Sequence, residues 1–241
     1  MTTVAIIQAR MGSTRLPGKV LMPLAGQPMV LHALRRVALV AGVERTVLAT
    51  TDRPEDDPLA ELVAARGWPV VRGSAEDVLA RYHKAADAHG ATTVLRFTAD
   101  CPLLCPRVAG RVLADFRTGG ADYVSNTVER TYPRGLDTEV FARTALDAAF
   151  REAVDQPHRE HVTPFIWSQP QRFARRQVRG ADDRSELRWT VDTPEDFALA
   201  SRILDAVGAD PAAAGYGQVL ALVDAHPEWT ALNAGISQKP V

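Results

Sequence analysis

Val4-Ala5-Ile6-Ile7-Gln8-Ala9-Arg10-Met11-Gly12-Ser13-Thr14-Arg15-Leu16-Pro17-Gly18-Lys19-Val20-Leu21 is the most informative stretch of the chain. Its first four residues form an uninterrupted apolar run, the mark of a strand buried on both faces. Small and polar residues follow from Gln8 to Arg15, and Leu16-Pro17-Gly18-Lys19 closes the loop. Three cations, Arg10, Arg15 and Lys19, stand among residues small enough to let backbone approach a ligand, with glycine at 12 and 18. A strand feeding a glycine-containing cationic loop is how α/β proteins commonly meet a polyphosphate. Amide N–H groups cradle the oxygens and fixed cations offset their charge.

Spacing excludes two familiar phosphate loops. A Walker A loop requires G-x-x-x-x-G-K followed by Ser or Thr. Here five residues separate Gly12 from Gly18, and Val20 follows Lys19, so the Mg²⁺-holding hydroxyl is missing. No G-x-G-x-x-G follows the strand, which removes the dinucleotide fingerprint.

Downstream the pattern alternates. Pro28 opens a helical spacing of Met29, Leu31, Leu34, Val37 and Ala38, stopped at Gly42. Thr46–Thr51 is β-branched and apolar, a second strand. Asp57-Pro58 starts a helix through Leu59, Leu62 and Val63 to Gly67. Pro69-Val70-Val71 reads as a third strand. Ser74-x-x-Asp77 reads as a capping box, with Asp in place of Glu, opening a helix to His89. Val94–Thr98 is a fourth strand. This βαβαβαβ alternation predicts an α/β fold, a mostly parallel sheet with helices on both faces. Ligands of such sheets lie beyond the carboxyl ends of the strands. The fourth strand runs out at Asp100-Cys101-Pro102, where the Asp either holds a divalent cation or caps a helix.

The string A-R-x-x-S-x-R-L-P-x-K, present from Ala9 to Lys19, resembles the signature of the sugar cytidylyltransferases. These include the CMP-Kdo and CMP-sialic acid synthetases and the spore-coat polysaccharide biosynthesis group. The last is nearest here, with Gln8 where the Kdo enzymes carry Pro, and the resemblance runs from Val4 to about Phe197. It implies a Rossmann-like sheet of the nucleotide-diphospho-sugar transferase kind with a small β-containing lobe. It also implies transfer of CMP from CTP to a sugar, sugar acid or sugar-like phosphate or phosphonate, with release of pyrophosphate. Nucleotide contacts are implied for Gln8, Ala9, Arg10, Met11, Gly12, Ser13, Arg15 and Lys19, with Arg10, Arg15 and Lys19 in the catalytic role. The D-x-P-L at Asp100–Leu103 matches the family's Mg²⁺ ligand, and the segment Leu187–Phe197 resembles its second metal motif, so Asp100 and Asp192 are expected to share Mg²⁺. An apolar strand is expected to end at Asp192; Thr193 and Pro194 suffice to start the following helix, which leaves Asp192 without a structural explanation.

Other family-like strings are less specific. R-G-S-x-x-D-V-L-x-R at Arg72–Arg81 implies that Arg72, Ser74 and Asp77 face the base or ribose, although helix capping accounts for Ser74 and Asp77 equally well. Arg81 has Asp77 four residues back as a surface ion-pair partner. P-x-G-x-D-x-E-V-F at Pro133–Phe141 reads as a turn and then a strand with Asp137 and Glu139 on one face. In the family this lobe, here 126–180, covers the second substrate and often helps form a dimer. Arg134 is a candidate for an acceptor carboxylate or phosphate, or a partner for Asp137 or Glu139. His158, Glu160 and His161, in an H-x-E-H-V-T string, are further substrate-lobe candidates; the H-E-x-x-H zinc spacing is absent. Arg172–Arg179 reads as a charge-guarded edge strand or a patch for an anionic partner.

At 241 residues, 46% apolar and 24% charged, the chain is expected to form one domain, 1–241, to which 126–180 contributes a lobe. A net charge of −1 supplies no field for nucleic acid. No apolar run nears the ~20 residues of a membrane span, and the first residues lack a secretory pattern. The expected setting is the cytoplasm, the expected partners CTP and a small anionic acceptor, the expected assembly a homodimer. Cys101 and Cys105 lack further ligands at metal spacing and read as small buried hydrophobes. The sheet alone also permits a glycosyltransferase, although Asp100-Cys101-Pro102 stands where such enzymes usually carry D-x-D. A non-catalytic nucleotide-binding protein is the third reading. Helices over Ala198–Val207 and Gln218–Ala225 and a fraying tail from Ser237 complete the expectation.

Overall fold

A computed structural model describes residues 2–208, 212 and 214–237; of the tail from Ser237, all but that residue lies outside the described set. The elements run β1 (Thr3–Gln8), a hairpin of β2 (Pro23–Leu24) and β3 (Gln27–Pro28), α1 (Met29–Ala38), β4 (Arg45–Thr51), α2 (Asp57–Ala65), β5 (Val70–Gly73), α3 (Val78–Ala88), β6 (Thr93–Thr98) and α4 (Pro106–Arg117). Then follow β7 (Tyr123–Ser125), β8 (Glu139–Ala142), α5 (Arg143–Glu152), α6 (Gln156–His161), α7 (Pro164–Trp167), β9 (Arg175–Gln177), α8 (Pro194–Val207), α9 (Tyr216–Ala225) and α10 (Pro227–Thr230).

Seven strands form one sheet in the order β5-β4-β1-β6-β8-β7-β9. β1 lies between β4 and β6 and parallel to both, with Ile6 opposite Val47 and Arg96. Only β8, which turns back against β6 and β7, runs against the rest. The strand expected at Arg172–Arg179 is the short edge strand β9.

Val4 to Ile7 are fully buried, and successive residues serve opposite cores. Ala5 and Ile7 join the core under α1, α2, α4, α8 and α9. Val4 and Ile6 join the core under α3, α5 and α7. Helices on both faces explain the unbroken apolar run: neither side of this strand meets water.

Three local expectations need correction. Ser74 does not cap α3; Asp77 does, its carboxylate accepting from Ala80 N at 2.9 Å, while Ser74 Oγ accepts from Asp77 N at 3.2 Å in the preceding turn. Arg81 makes no surface pair with Asp77. It is 2% exposed and donates to the carbonyls of Ser74 and Ala75, and Asp77 pairs instead with Arg159. Leu187–Asp192 is extended but is no sheet strand, because both edges of β6 are already taken by β1 and β8. It docks through a bridge, with Arg134 N donating to Leu187 O and Trp189 N to Arg134 O, and through Val191 N to Asp100 O at 2.8 Å. The capping box that does form is at α8, where Thr193 Oγ accepts from Asp196 N and the Asp196 carboxylate accepts from Thr193 N.

Candidate active site

Beyond the carboxyl ends of β1 and β6 the fold leaves a cleft of about 980 Å³. The loop after β1 forms one wall and is folded on itself: Met11 O accepts from Ser13 N at 2.8 Å and from Gly18 N at 3.1 Å. Met11 N donates to the buried Asp56 carboxylate at 2.6 Å, which pins the loop to the start of α2. Gln8, Ala9, Arg10, Gly12, Ser13, Arg15 and Lys19 line the cleft; Met11 does not, and packs toward the core. Gly18 sits at φ 71°, the left-handed region that favours glycine, and starts the 3₁₀ turn Lys19–Leu21 that turns Lys19 inward.

Lys19 is 8% exposed and reaches both aspartates. Its Nζ donates to Val191 O at 2.6 Å and to Asp192 Oδ1 at 2.8 Å, and lies 3.4 Å from Asp100 Oδ2. Burial pulls the Lys19 ammonium down, but Asp100 and Asp192 outweigh it and hold the pKa above the ordinary lysine value. The other Asp192 oxygen faces Arg15 and Arg188, each at 2.8 Å. Burial raises Asp192, and Lys19, Arg15 and Arg188 overcome it, leaving the carboxyl below the usual aspartate range. The other Asp100 oxygen accepts from Thr98 Oγ.

Residues between 126 and 180 form the second wall. Arg134, Asp137, Glu139, Glu160 and His161 line the cleft. Asp137 is held by both terminal nitrogens of Arg130, at 2.5 and 2.8 Å, and Glu139 by Arg96, by Tyr123 Oη at 2.6 Å and by Thr163 Oγ at 2.5 Å. Arg134 therefore pairs with neither carboxylate. Its guanidinium is pulled below the ordinary arginine value by burial and by Arg130 and Arg188 nearby. Gly135 beside it is at φ 105°, and a Cβ there would lie 2.7 Å from the Trp189 carbonyl carbon.

Val162 sits at φ 72°, with Thr163 N donating to His161 O at 2.8 Å. Such a γ-turn is rare for a β-branched residue, and both of its flanking residues face the cleft. Burial lowers the His161 imidazole and keeps it neutral at pH 7. His158 lies off the cleft against Phe165, 3.7 Å from Asp155. Arg72, Ser74 and Asp77 also lie off the cleft. Arg72 donates to Thr51 O and Arg53 O, while Ala75, Glu76, Val78 and Arg81 face inward.

The sequence profile of the cytidylyltransferases matches residues 4–211. The chain belongs to the cytidylyltransferase family. It is thus a nucleotidyltransferase, and the resemblance seen from Val4 to Phe197 holds. A spore coat polysaccharide biosynthesis protein of Bacillus subtilis is 32% identical over 231 residues, covering 92% of this chain and 94% of that one. An uncharacterized protein of Methanocaldococcus jannaschii is 31% identical over 244 residues, covering 99% and 97%. A solved cytidylyltransferase from Leptospira borgpetersenii superposes with a TM-score of 0.91 at 27% identity, each chain covered in full.

In this cytidylyltransferase the donor set suits Mg²⁺, a hard ion that takes one or two carboxylates and fills the rest of its shell with water and substrate phosphate. Asp100 and Asp192 each have one oxygen engaged by other side chains and one turned to a common point, where Lys19 Nζ lies. Among the described residues no cluster of three or more His, Cys, Asp or Glu forms a self-sufficient metal cage. Sequence reasoning missed Arg188 and Asp196, which orient Asp192: Arg188 donates to both Asp196 oxygens at 2.9 and 3.0 Å, and Asp196 accepts from Asp192 N at 2.9 Å. A signal was there, since Arg188, Thr190 and Asp192 alternate along an extended segment and so share a face.

Proposed function

We propose that the protein transfers CMP from CTP to a sugar, sugar acid or sugar-like phosphate or phosphonate in a Mg²⁺-dependent reaction that releases pyrophosphate. The observation that carries this reading is the meeting of Lys19, Arg15, Asp100 and Asp192 at one end of a single cleft. The likeness to a protein named for spore coat polysaccharide biosynthesis supports a sugar-type acceptor.

The charge of CTP, about four negative units at neutral pH, repels an incoming oxygen nucleophile. Arg10, Arg15 and Lys19 offset that charge and stabilise it as it spreads over the α-phosphorus in the transition state. Asp100 and Asp192 would hold Mg²⁺, which would supply further charge neutralisation. The acceptor oxygen attacks in line, its bond to the α-phosphorus forming as the bond to pyrophosphate breaks. At the other wall, Arg134 receives the acceptor's anionic group, with Asp137, Glu139, Glu160 and His161 around it. Ser74 and Asp77 act through the 74–78 turn, which brings Ala75, Glu76 and Val78 to the nucleotide, while Arg72 braces the chain after β4 through Thr51 O and Arg53 O.

We place the enzyme in the cytoplasm, where reduced thiols such as the buried Cys101 and Cys105 persist. It is one domain that pairs through its 126–180 lobe as a homodimer, a reading supported by the edge position of β9.

The test is pyrophosphate release with each of the four nucleoside triphosphates, alone and with acidic sugars, sugar phosphates and phosphonates. Release that requires both CTP and one such acceptor is expected. An enzyme consuming a nucleotide sugar would instead liberate a nucleoside diphosphate, and that outcome would overturn the reading.

A further inference from the structure

Lys19 Nζ stands on the point that one oxygen of Asp100 and one of Asp192 both face. The remaining oxygens are already engaged, that of Asp100 by Thr98 and that of Asp192 by Arg15 and Arg188. A divalent ion binding both carboxylates through these two oxygens has to sit about 2.0–2.6 Å from each. On the side from which Lys19 approaches, that position overlaps an ammonium lying 2.8 and 3.4 Å from the same two atoms. The two cations cannot share the seat.

Lys19 also cannot simply withdraw. Its side chain is 10% exposed and is held by a third bond, to Val191 O, while Gly18 and the 3₁₀ turn fix its backbone. Taking this nearly buried ammonium off its carboxylates leaves an unpaired charge, which is strongly unfavourable. An anionic group reaching the cleft removes that cost by taking the ammonium over.

We propose that Lys19 and the divalent cation exclude one another from the Asp100–Asp192 seat, so that the cation enters only with the nucleotide whose phosphates receive Lys19. This rests on the reading of Asp100 and Asp192 as the cation's ligands. The exchange couples the two binding events: metal without nucleotide meets a seat whose charge is already balanced by Lys19, Arg15 and Arg188. The nucleotide then brings both the new partner for Lys19 and the missing metal ligands.

The experiment follows protein-bound Mn²⁺ by electron paramagnetic resonance in the full chain, with and without a non-hydrolysable α,β-methylene analogue of CTP. Wild-type protein alone is expected to bind Mn²⁺ at least about tenfold more weakly than Lys19→Met or Lys19→Gln protein alone, a difference of ~1.4 kcal/mol. The analogue is expected to raise Mn²⁺ uptake in the wild type beyond what the analogue binds by itself. Equal Mn²⁺ affinity in the wild type and both Lys19 variants overturns the exclusion. It leaves the seat standing if Asp100→Asn on the Lys19→Met background abolishes that binding. Should that double variant still bind Mn²⁺ as before, the seat is misassigned and both readings fall. The wild-type arms need no substitution, and uptake that ignores the analogue overturns the proposal whether or not the variants fold.

Discussion

Lys19 carries the charge argument because it touches both walls of the metal seat, so its removal separates chemistry from architecture. Lys19→Ala is expected to lower turnover about 10²-fold or more while the far-ultraviolet circular dichroism stays that of the wild type. Unchanged pyrophosphate release would remove the loop from the mechanism. Asp192 gives a pH test. Its folded pKa lies below the ordinary aspartate value, so its contribution to stability is present above about pH 4 and is lost as pH falls through the folded value. Lys19, raised above the lysine range, withdraws its contribution only under strongly alkaline conditions. Wild type is therefore expected to melt above Asp192→Asn at neutral pH, the gap closing as the pH falls below the ordinary aspartate range. A gap that stays constant in thermal melts across that range would show that the Asp192 charge does not stabilise the fold.

Positions on single elements account for what was and was not readable. The buried strand β1 was legible because both its faces are covered and Val4 to Ile7 all had to be apolar. The start of α3 was misread because Ser74 and Asp77 are both good caps, and local chemistry cannot say which of two consecutive turns begins the helix. The segment before Asp192 was readable as extended but not as a docked bridge, since its partners, Arg134 and Asp100, are far away in sequence. Gly135 anchors that bridge. With φ at 105° and Trp189 backbone where a Cβ would fall, Gly135→Ala is expected to cost about 3 kcal/mol or more in urea unfolding. A cost below ~1 kcal/mol would mean that the bridge does not constrain Gly135.

Across the chain as a whole, the motifs placed the two aspartates and the cationic loop, but not the network that orients them. Arg188 and Asp196 pass unnoticed in sequence because an Arg and an Asp eight apart look like solvated charges, and only the fold buries them together beside Asn233. Arg72, His158 and Met11 show the opposite limit. Each sits in a family-like string, yet spends its contacts on the fold beside the cleft rather than in it. The account stands on one convergence, of loop cations and separated aspartates upon a metal–nucleotide. Crystals soaked with CTP and Mn²⁺, measured for anomalous scattering, test it most directly. The expected result is a Mn²⁺ peak about 2.0–2.4 Å from carboxylate oxygens of both Asp100 and Asp192, with the triphosphate against Lys19 and Arg15. A triphosphate bound elsewhere, or a peak away from both aspartates, would contradict it.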